Sequence, residues 1–221
     1  MSIAQILTNP SQVGQFSVDN TRVILSFGGA SGGFEFAMEL RRNIMQKYNL
    51  PFNGNPAFVY LDAESLKVDP GTKYTWDQKL GIFKMSNPFW KSFYQGAMGN
   101  SKTMIFLLTG QWLRSNWCWD ELDWYQERLS SGLGIKPIWV IFPDAKAMLM
   151  QATITTRDGK TRRPRRFYEA MLSVPNAVKV YINTVVGSDM RKVLAASGHS
   201  YTFSYTCNQV ELNLILKEVA T

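Results

Sequence analysis

The stretch SKTMIFLLTGQWLRSNWCWDEL, residues 101–122, joins an apolar run to a strongly helical segment. The run 103–108 has the length and composition of a buried parallel strand, and a helix is predicted over 118–129. Trp117 and Glu121 are four positions apart, so they lie on one helix face beside the end of a strand. An indole next to a carboxylate suits a planar, cationic substrate.

Length and composition limit the class of protein. The chain has 221 residues, 45% of them hydrophobic and 13% aromatic, which suits one domain with a substantial core. Its longest apolar stretches, such as 103–108 and 137–142, are far shorter than the roughly 20 residues of a membrane span. The N-terminus has no basic segment followed by an apolar one. We therefore expect no secretory signal, no membrane contact and a cytoplasmic location.

Few side chains are available for metal binding or nucleophilic catalysis. The sequence contains two cysteines, Cys118 and Cys207, and one histidine, His199. These residues are too few for a Cys/His zinc site or a Ser-His-Asp triad, so we expect no metal. Both thiols are expected to be reduced, with a single disulfide between them as the alternative.

Short apolar strands alternate with helices along the chain. We predict an irregular lead-in over 1–20 and a single domain over 21–221, elaborated from about 145 onward by a hairpin. The connection 62–87 is unusually long, which is typical of a functional or mobile segment, and Asn87 is expected to cap the helix after it. The pattern predicts an α/β fold, a flavodoxin-like, doubly wound sheet of five parallel strands ordered 2-1-3-4-5. The predicted strands are 22–27, 57–61, 103–108, 136–142 and 177–183, and the main helices 34–48, 88–98, 118–129, 167–172 and 210–219.

Ligands of such a sheet bind beyond the carboxyl ends of its strands, where the strand order reverses. The first strand ends in an aromatic residue and glycines, the second in an acid, and the third leads to the segment around Glu121, which is the candidate catalytic residue. The residues predicted to bind a substrate at this edge are Trp117, Phe27, Gly28, Gly29 and Asp62.

Two of these predictions have structural alternatives. The segment GGASGG, 28–33, could cradle a phosphate with backbone amides or serve only as a turn, because its spacing does not match the GxGxxG fingerprint. Glu121 could be an acid that stabilises the first turn of a helix through the helix dipole. Its place at the reversal of strand order favours a functional role. Trp119 and Trp124 are interpreted as packing residues, and Cys118 as a small core residue.

Four segments resemble, in order and spacing, successive sequence boxes of the TIR domain family. TIR domains include adaptors that only self-associate and enzymes that cleave the nicotinamide–ribose bond of NAD. Resemblance to the enzymes implies that Glu121 is the catalytic glutamate and that Trp117 lines the pocket. It implies NAD as a substrate and no bound cofactor, with nicotinamide and either ADP-ribose or a cyclic ADP-ribose isomer as products. The segments are RVILSFG at 22–28, FVYLDAESL at 58–66, SKTMIFLL at 101–108 and SNWCWDEL at 115–122.

The resemblance also implies partners and a biological setting. Bacterial TIR proteins of the Thoeris type make a cyclic ADP-ribose isomer as an antiphage signal, which a downstream effector protein senses, and many family members act only after TIR–TIR self-association. The chain departs from the family at Gly28 and Gly29, where a charged residue is usual. Phosphate contacts must therefore come from elsewhere, and Lys67, Lys73 and Lys79 are candidates.

Two other functions are alternatives. A non-catalytic TIR adaptor would not need the pair Trp117 and Glu121, and a flavodoxin-like regulator would carry a coloured flavin. The net charge of +7 is concentrated at 157–166, where six Lys or Arg residues surround Asp158 and Gly159. We interpret this segment as a solvated hairpin arm and do not expect nucleic acid as a partner.

Overall fold

A computed structural model describes residues 17–28, 33–50, 58–65, 72–77, 82–132, 134–183 and 208–219. Strands and helices alternate along these segments, as the sequence predicts. In chain order they are β1 (Val23–Phe27), α1 (Gly33–Lys47), β2 (Val59–Tyr60), α2 (Asp62–Ser65), β3 (Lys73–Asp77), β4 (Ile82–Ser86), α3 (Trp90–Asn100), β5 (Thr103–Leu108), α4 (Gly110–Leu113), α5 (Asn116–Ser130), β6 (Lys136–Ile141), α6 (Pro143–Leu149), β7 (Ile154–Thr155), β8 (Thr161–Arg162), α7 (Pro164–Leu172), β9 (Val178–Tyr181) and α8 (Gln209–Glu218).

Five of these strands form one parallel sheet in the order β2-β1-β5-β6-β9. β1 lies between β2 and β5, and it pairs with β5 along its whole length, from Val23 opposite Thr103 to Phe27 opposite Leu107. Counted along the chain, the sheet order is 2-1-3-4-5, so the predicted flavodoxin-like sheet is confirmed. The order reverses between β1 and β5, and the carboxyl ends of these two strands flank the expected binding crevice.

Side chains alternate between the two faces of the sheet. In β5, Met104, Phe106 and Leu108 belong to one hydrophobic cluster, and Ile105 and Leu107 belong to the other. The first cluster, here called the aromatic face, is covered by α3, α4, α5 and α7, whereas the second, the aliphatic face, is covered by α1 and α8. Helices on both faces confirm the doubly wound architecture. The covering side chains include Tyr94, Trp112, Trp119, Tyr125 and Phe167 on the aromatic face, and Phe36, Leu40, Ile44, Leu212 and Ile215 on the aliphatic face.

Two small antiparallel hairpins stand apart from the sheet. The β7–β8 hairpin turns at Asp158 and Gly159, as predicted, and Gly159 has φ +83°, a conformation that favours glycine. The β3–β4 hairpin lies inside the connection 62–87, where the sequence indicated no strand. The short helix α6 was also not predicted.

The helix after the long connection begins later than the sequence predicts. α3 starts at Trp90, not at Pro88, and Asn87 is not its N-cap. Instead, Oδ1 of Asn87 accepts a hydrogen bond from the backbone N–H of Phe89 at 2.8 Å, which closes a turn before the helix. The predicted cap was therefore wrong by two residues. The N-cap of α5 is Ser115, whose Oγ accepts a hydrogen bond from the backbone N–H of Cys118 at 3.4 Å.

Some predicted features fall outside the described part of the chain, including residues 1–16 of the lead-in. Within the described residues, none of the helices is both long enough and apolar enough to span a membrane. The thiol of Cys118 is free and buried. Other residues that lie outside the described ranges are Gly29, Lys67, Lys79, His199 and Cys207.

Candidate functional site

The carboxyl group of Glu121 lies at the centre of a hydrogen-bonded chain on the aromatic face. The side chain of Ser26, in β1, donates from its Oγ to Oε2 of Glu121 at 2.5 Å. Oγ of Ser26 in turn accepts a hydrogen bond from Nε1 of Trp112 at 2.8 Å. Because an indole N–H can only donate, the Ser26 hydroxyl is left to point its hydrogen at the carboxylate. This chain fixes the orientation of a Glu121 side chain that is only 5% exposed.

Burial makes Glu121 an unusually weak acid. Burial is the larger cause and the negative charge of Asp62 the second, and together they raise the pKa of Glu121 to about 8. The hydrogen bond from Ser26 and the nearby hydroxyl of Tyr94 act in the opposite direction. At neutral pH the group is therefore mostly protonated in the absence of a ligand, unlike an exposed glutamate.

A second carboxyl group, that of Asp62, lies within electrostatic reach of Glu121. Asp62 begins α2, directly beyond the carboxyl end of β2. Burial, partly offset by the nearby hydroxyl of Tyr60, raises the pKa of Asp62 to about 7. Oδ1 of Asp62 is buried, and no described residue forms a hydrogen bond with it. A buried oxygen of this kind is expensive unless a ligand or water satisfies it, so it marks a candidate binding position.

The start of α5 is tied to the end of β1. The thiol of Cys118 donates a hydrogen bond to the carbonyl oxygen of Phe27 at 3.4 Å. Burial and the charge of Glu121 hold the pKa of Cys118 well above its usual range, so this thiol is neutral and confirms the prediction of a small core residue. α5 begins at Asn116, and Glu121 is in its second turn. The alternative in which Glu121 stabilises the first helical turn was therefore wrong.

Trp117 lies at the surface, one helical turn before the buried Glu121. Its side chain is 55% exposed. The ring meets that of Trp90 edge to face, with 4.7 Å between centroids, and Nζ of Lys91 lies 5.4 Å from the Trp117 centroid. These three side chains form what we call the aromatic shelf. Trp124 packs behind it against Trp90 and, together with the buried Trp119, confirms the predicted packing role.

The predicted binding residues at the end of β1 have different surroundings. A Cβ atom built on Gly28 would lie 2.7 Å from the backbone nitrogen of Trp112. Glycine is therefore required there so that α4 can approach β1 closely. Phe27 is partly buried and packs against the aliphatic face, and Gly29 lies outside the described residues. Of these positions, Gly28 has a packing explanation that does not involve a ligand.

Sequence reasoning missed three residues that contact Glu121 or its partner. Ser26 is the single polar residue of the strand VILSF, which is a signal that could have been noticed. Tyr94 and Trp112 carry no such signal, because aromatic residues on helices are usually core residues. The described residues contain no cluster of three or more His, Cys, Asp or Glu side chains suited to a metal ion.

The outer acids of α5 are engaged by the β7–β8 hairpin. Arg162 lies 3.9 Å from Asp120 and 3.8 Å from Asp123, measured between charged atoms. Its guanidinium also stands over the ring of Trp119, 5.5 Å from the centroid. These contacts anchor the hairpin on α5. Asp120 and Asp123 thus point away from the sheet, whereas Glu121 on the same helix is buried against it.

A comparison with known proteins found a similar protein whose name states an activity. The chain is 38% identical over 129 residues to a protein of Pseudomonas syringae pv. tomato named 3′ cyclic ADP-D-ribose synthase HopAM1. The match covers 57% of the chain and 46% of that protein, so the chain spans about half the length of the curated relative it matches. No protein-family model matches the chain, and no solved structure matches it.

Proposed function

We propose that this chain cleaves the bond between nicotinamide and ribose in NAD and releases a cyclic ADP-ribose isomer, with ADP-ribose as the product when water intervenes. The observation that carries the proposal is the buried carboxyl of Glu121, oriented by Ser26 and accompanied by Asp62, at the edge where the sheet order reverses. The name of the similar protein, a 3′ cyclic ADP-D-ribose synthase, supports the substrate class and the cyclic product.

The leaving group explains why so few ionisable side chains suffice. Nicotinamide in NAD is a cationic pyridinium, and it leaves as a neutral molecule with the electron pair of the broken bond. No general acid has to protonate it. The positive charge moves onto the ribose carbon and ring oxygen, as in other glycosyl transfers. Glu121 stabilises this charge as a carboxylate in a site from which water is largely excluded.

The high pKa of Glu121 is compatible with this role. The pKa of about 8 applies without a ligand, and an adjacent positive charge lowers the pKa of a carboxyl group. Binding of the cationic nicotinamide therefore drives ionisation of Glu121, with release of a proton. The carboxylate forms where the reaction develops positive charge, so the interaction strengthens toward the transition state.

The second step decides the product. If a hydroxyl of the adenine-side ribose attacks the cationic carbon, a new C–O bond closes the ring and the hydroxyl loses its proton; if water attacks, ADP-ribose forms. Asp62 has a pKa of about 7 and an oxygen available for a hydroxyl group, which suits a proton acceptor at neutral pH. Trp117 stacks on a base and, by folding the adenine back, favours the cyclic product.

The biological setting belongs to the same proposal. A cyclic nucleotide that a downstream effector recognises would act as a signal in cytoplasmic antiphage defence. Self-association of TIR domains would regulate the activity. A protein that self-associates without cleaving NAD is the competing adaptor function.

The decisive experiment follows NAD turnover in concentrated protein, with products separated by liquid chromatography and identified by mass. The parent should release nicotinamide together with a cyclic ADP-ribose isomer, which is lighter than ADP-ribose by one water. Glu121→Gln should lower the rate by about a hundred- to a thousandfold, the scale of losing one key charge-stabilising group.

Glu127→Gln is the matched control, because Glu127 is an exposed acid on the same helix. It should retain the parent rate. If Glu121→Gln keeps more than a tenth of the activity, Glu121 is not the central residue. If the parent releases no nicotinamide, even with a crowding agent that promotes assembly, the adaptor function is favoured instead.

A further inference from the structure

The β7–β8 hairpin brings a basic residue to the carboxyl edge of the sheet. The backbone N–H of Arg157 donates to the carbonyl oxygen of Arg114 at 3.0 Å. Nη2 of Arg157 also donates to the side-chain oxygen of Gln111 on α4. The residue is thus held at both its backbone and its guanidinium. Such anchoring lowers the entropy lost when the guanidinium binds a ligand.

The position of Arg157 places it next to the proposed NAD site. Arg114, its backbone partner, directly precedes Ser115, the N-cap of α5. The positive charge of Arg157 also reaches Cys118, whose pKa it lowers slightly against the stronger effects of burial and Glu121. Cys118 contacts Phe27 at the end of β1. Arg157 therefore stands over the start of α5, on the side of the sheet edge where Glu121 is buried.

Other charges of the hairpin have structural partners that keep it in place. Arg162 pairs with Asp120 and Asp123, and Lys160 lies 3.8 Å from Asp158. The hairpin is consequently fixed to α5 at one end and to α4 at the other. Most of its side chains are exposed, as the interpretation of a solvated arm predicts, but these contacts make it a support for a side chain at the rim of the site.

We propose that Arg157 binds the diphosphate of NAD, so that the hairpin completes the substrate site. A guanidinium has five N–H donors in a planar fork, and phosphate oxygens accept them in pairs. The amino end of α5 adds a favourable partial positive charge at the same place. Gly28 provides no charged side chain at the end of β1, and Arg157 supplies a cation there from the hairpin.

This assignment rests on the proposed function, and it is tested by kinetics on the whole protein. Arg157→Ala should raise the KM for NAD about ten- to a hundredfold, the range expected for a charge-assisted hydrogen bond to phosphate. The kcat should change by less than about threefold, because Arg157 binds a part of the substrate that does not react. The KM of Arg157→Lys should lie between those of the parent and Arg157→Ala, since lysine keeps the positive charge but not the planar fork of N–H donors.

Inhibition constants separate a phosphate contact from a structural role. ADP-ribose contains the diphosphate and nicotinamide does not, so Arg157→Ala should weaken inhibition by ADP-ribose in parallel with KM and leave inhibition by nicotinamide unchanged. Arg166→Ala is the matched control, because Arg166 is an exposed arginine of the same basic segment on α7. It should behave like the parent.

The outcomes distinguish this inference from the proposed function. Suppose that the parent cleaves NAD. If Arg157→Ala then retains the parental KM, or if it weakens inhibition by ADP-ribose and by nicotinamide equally, the assignment of Arg157 is wrong and the proposed function stands. If the parent does not cleave NAD, the function is wrong, and calorimetric titration with ADP-ribose then tests Arg157 directly. Parental affinity for ADP-ribose in Arg157→Ala, or no binding by the parent, overturns the inference.

Discussion

The two faces of the sheet are equally well buried but are built from different side chains. On the aromatic face, Phe106 stacks on Trp139 with centroids 4.2 Å apart, and Trp112 lies against Phe167. The aliphatic face consists mainly of Val, Leu, Ile and Met, and the buried Arg41 of α1 donates from Nε to the carbonyl oxygen of Val59 at 3.1 Å. Both faces therefore hold an ionisable group, but the hydrogen bond of Arg41 has a structural role, because it connects α1 to β2.

The difference shows why the candidate site is on the aromatic face. Tryptophan and tyrosine bring hydrogen-bonding groups into the core along with a large apolar surface. Trp112 uses its N–H to hold Ser26, which holds Glu121, whereas Trp119 donates to the carbonyl oxygen of Leu113 at 2.8 Å. Aliphatic side chains offer no such groups. The buried acid of α8, Glu211, is instead held by the backbone, because the N–H of Asn183 donates to its Oε1 at 2.7 Å.

The largest expected effect on stability concerns Glu121. Its pKa is about 8 in the folded protein against an ordinary value of 4.5, so between these values the folded state retains a proton that the unfolded state has lost. The free energy of unfolding should therefore fall as the pH rises through this window, by at most about 1.4 kcal/mol per pH unit. Glu121→Gln removes this loss and should be more stable than the parent at pH 8, by a few kcal/mol.

Urea unfolding at pH 5 and pH 8 measures this effect, and the exposed Glu127→Gln again serves as the control. The difference between the parent and Glu121→Gln should grow from pH 5 to pH 8, whereas Glu127→Gln should follow the parent. If the free energy of unfolding of the parent and of Glu121→Gln changed equally with pH, Glu121 would have an ordinary pKa. The two faces would then differ only in how their side chains pack.

A cavity in the aliphatic face should have the next largest effect, without any functional signature. Leu40 is fully buried on α1, and Leu40→Ala should cost about 2 to 5 kcal/mol of unfolding free energy at every pH. At a temperature where the variant is folded, its KM for NAD should equal that of the parent. A changed KM would show that the two faces are coupled.

Ser26 links the buried acid to the sheet, so its loss should affect both stability and pH dependence. Ser26→Ala leaves Trp112 without its acceptor and should cost about 1 to 3 kcal/mol. It also removes a hydrogen bond that favours the ionised Glu121. The pH at which kcat/KM for NAD reaches half its maximum should therefore move upward. Ser101→Ala is the control, because Oγ of Ser101 is buried but donates to the carbonyl oxygen of Ala97; it should lose stability with no shift of the profile.

The smallest expected effect on stability comes from the aromatic shelf. Trp117 is largely exposed and its contacts are at the surface, so Trp117→Ala should change the unfolding free energy by less than about 1 kcal/mol. The ratio of cyclic to linear product should nevertheless fall, as measured by chromatography with mass detection. If Trp117→Ala lost stability while the ratio of cyclic to linear product stayed the same, the role of Trp117 would be in packing and not in substrate binding.

The sequence was most informative where one local signal dominates. The run TMIFLL is apolar after its first residue, and its predicted bounds coincide with those of β5. The five-strand order and the bounds of α5 were also close, because strands and helices alternate with clear caps. At Asn87 two local signals compete, and the turn closed by Phe89 displaces the helix start to Trp90.

The arrangement of the candidate site depends on contacts that local patterns do not contain. Glu121 and Asp62 were selected from topology, but their mutual effect on protonation requires the two elements to be packed together. Ser26 and Glu121 are 95 positions apart. The β3–β4 hairpin pairs only with itself among the described strands. Its strands KYTWD and IFKMS contain strand-favouring aromatic and β-branched residues, so it could have been predicted but was missed.

The close approach at Gly28 couples the shape of the backbone to the chemistry of the site. A methyl group at this position would collide with the backbone nitrogen of Trp112 and push α4 away from the sheet. Trp112 also supplies the indole N–H that donates to Ser26, and α4 carries Gln111, which accepts a hydrogen bond from Arg157. One added carbon at Gly28 would thus disturb the position of Glu121 together with that of Arg157, the proposed phosphate ligand. Attempts to redesign substrate preference should leave this position untouched and alter the hairpin, which can be changed with the sheet intact.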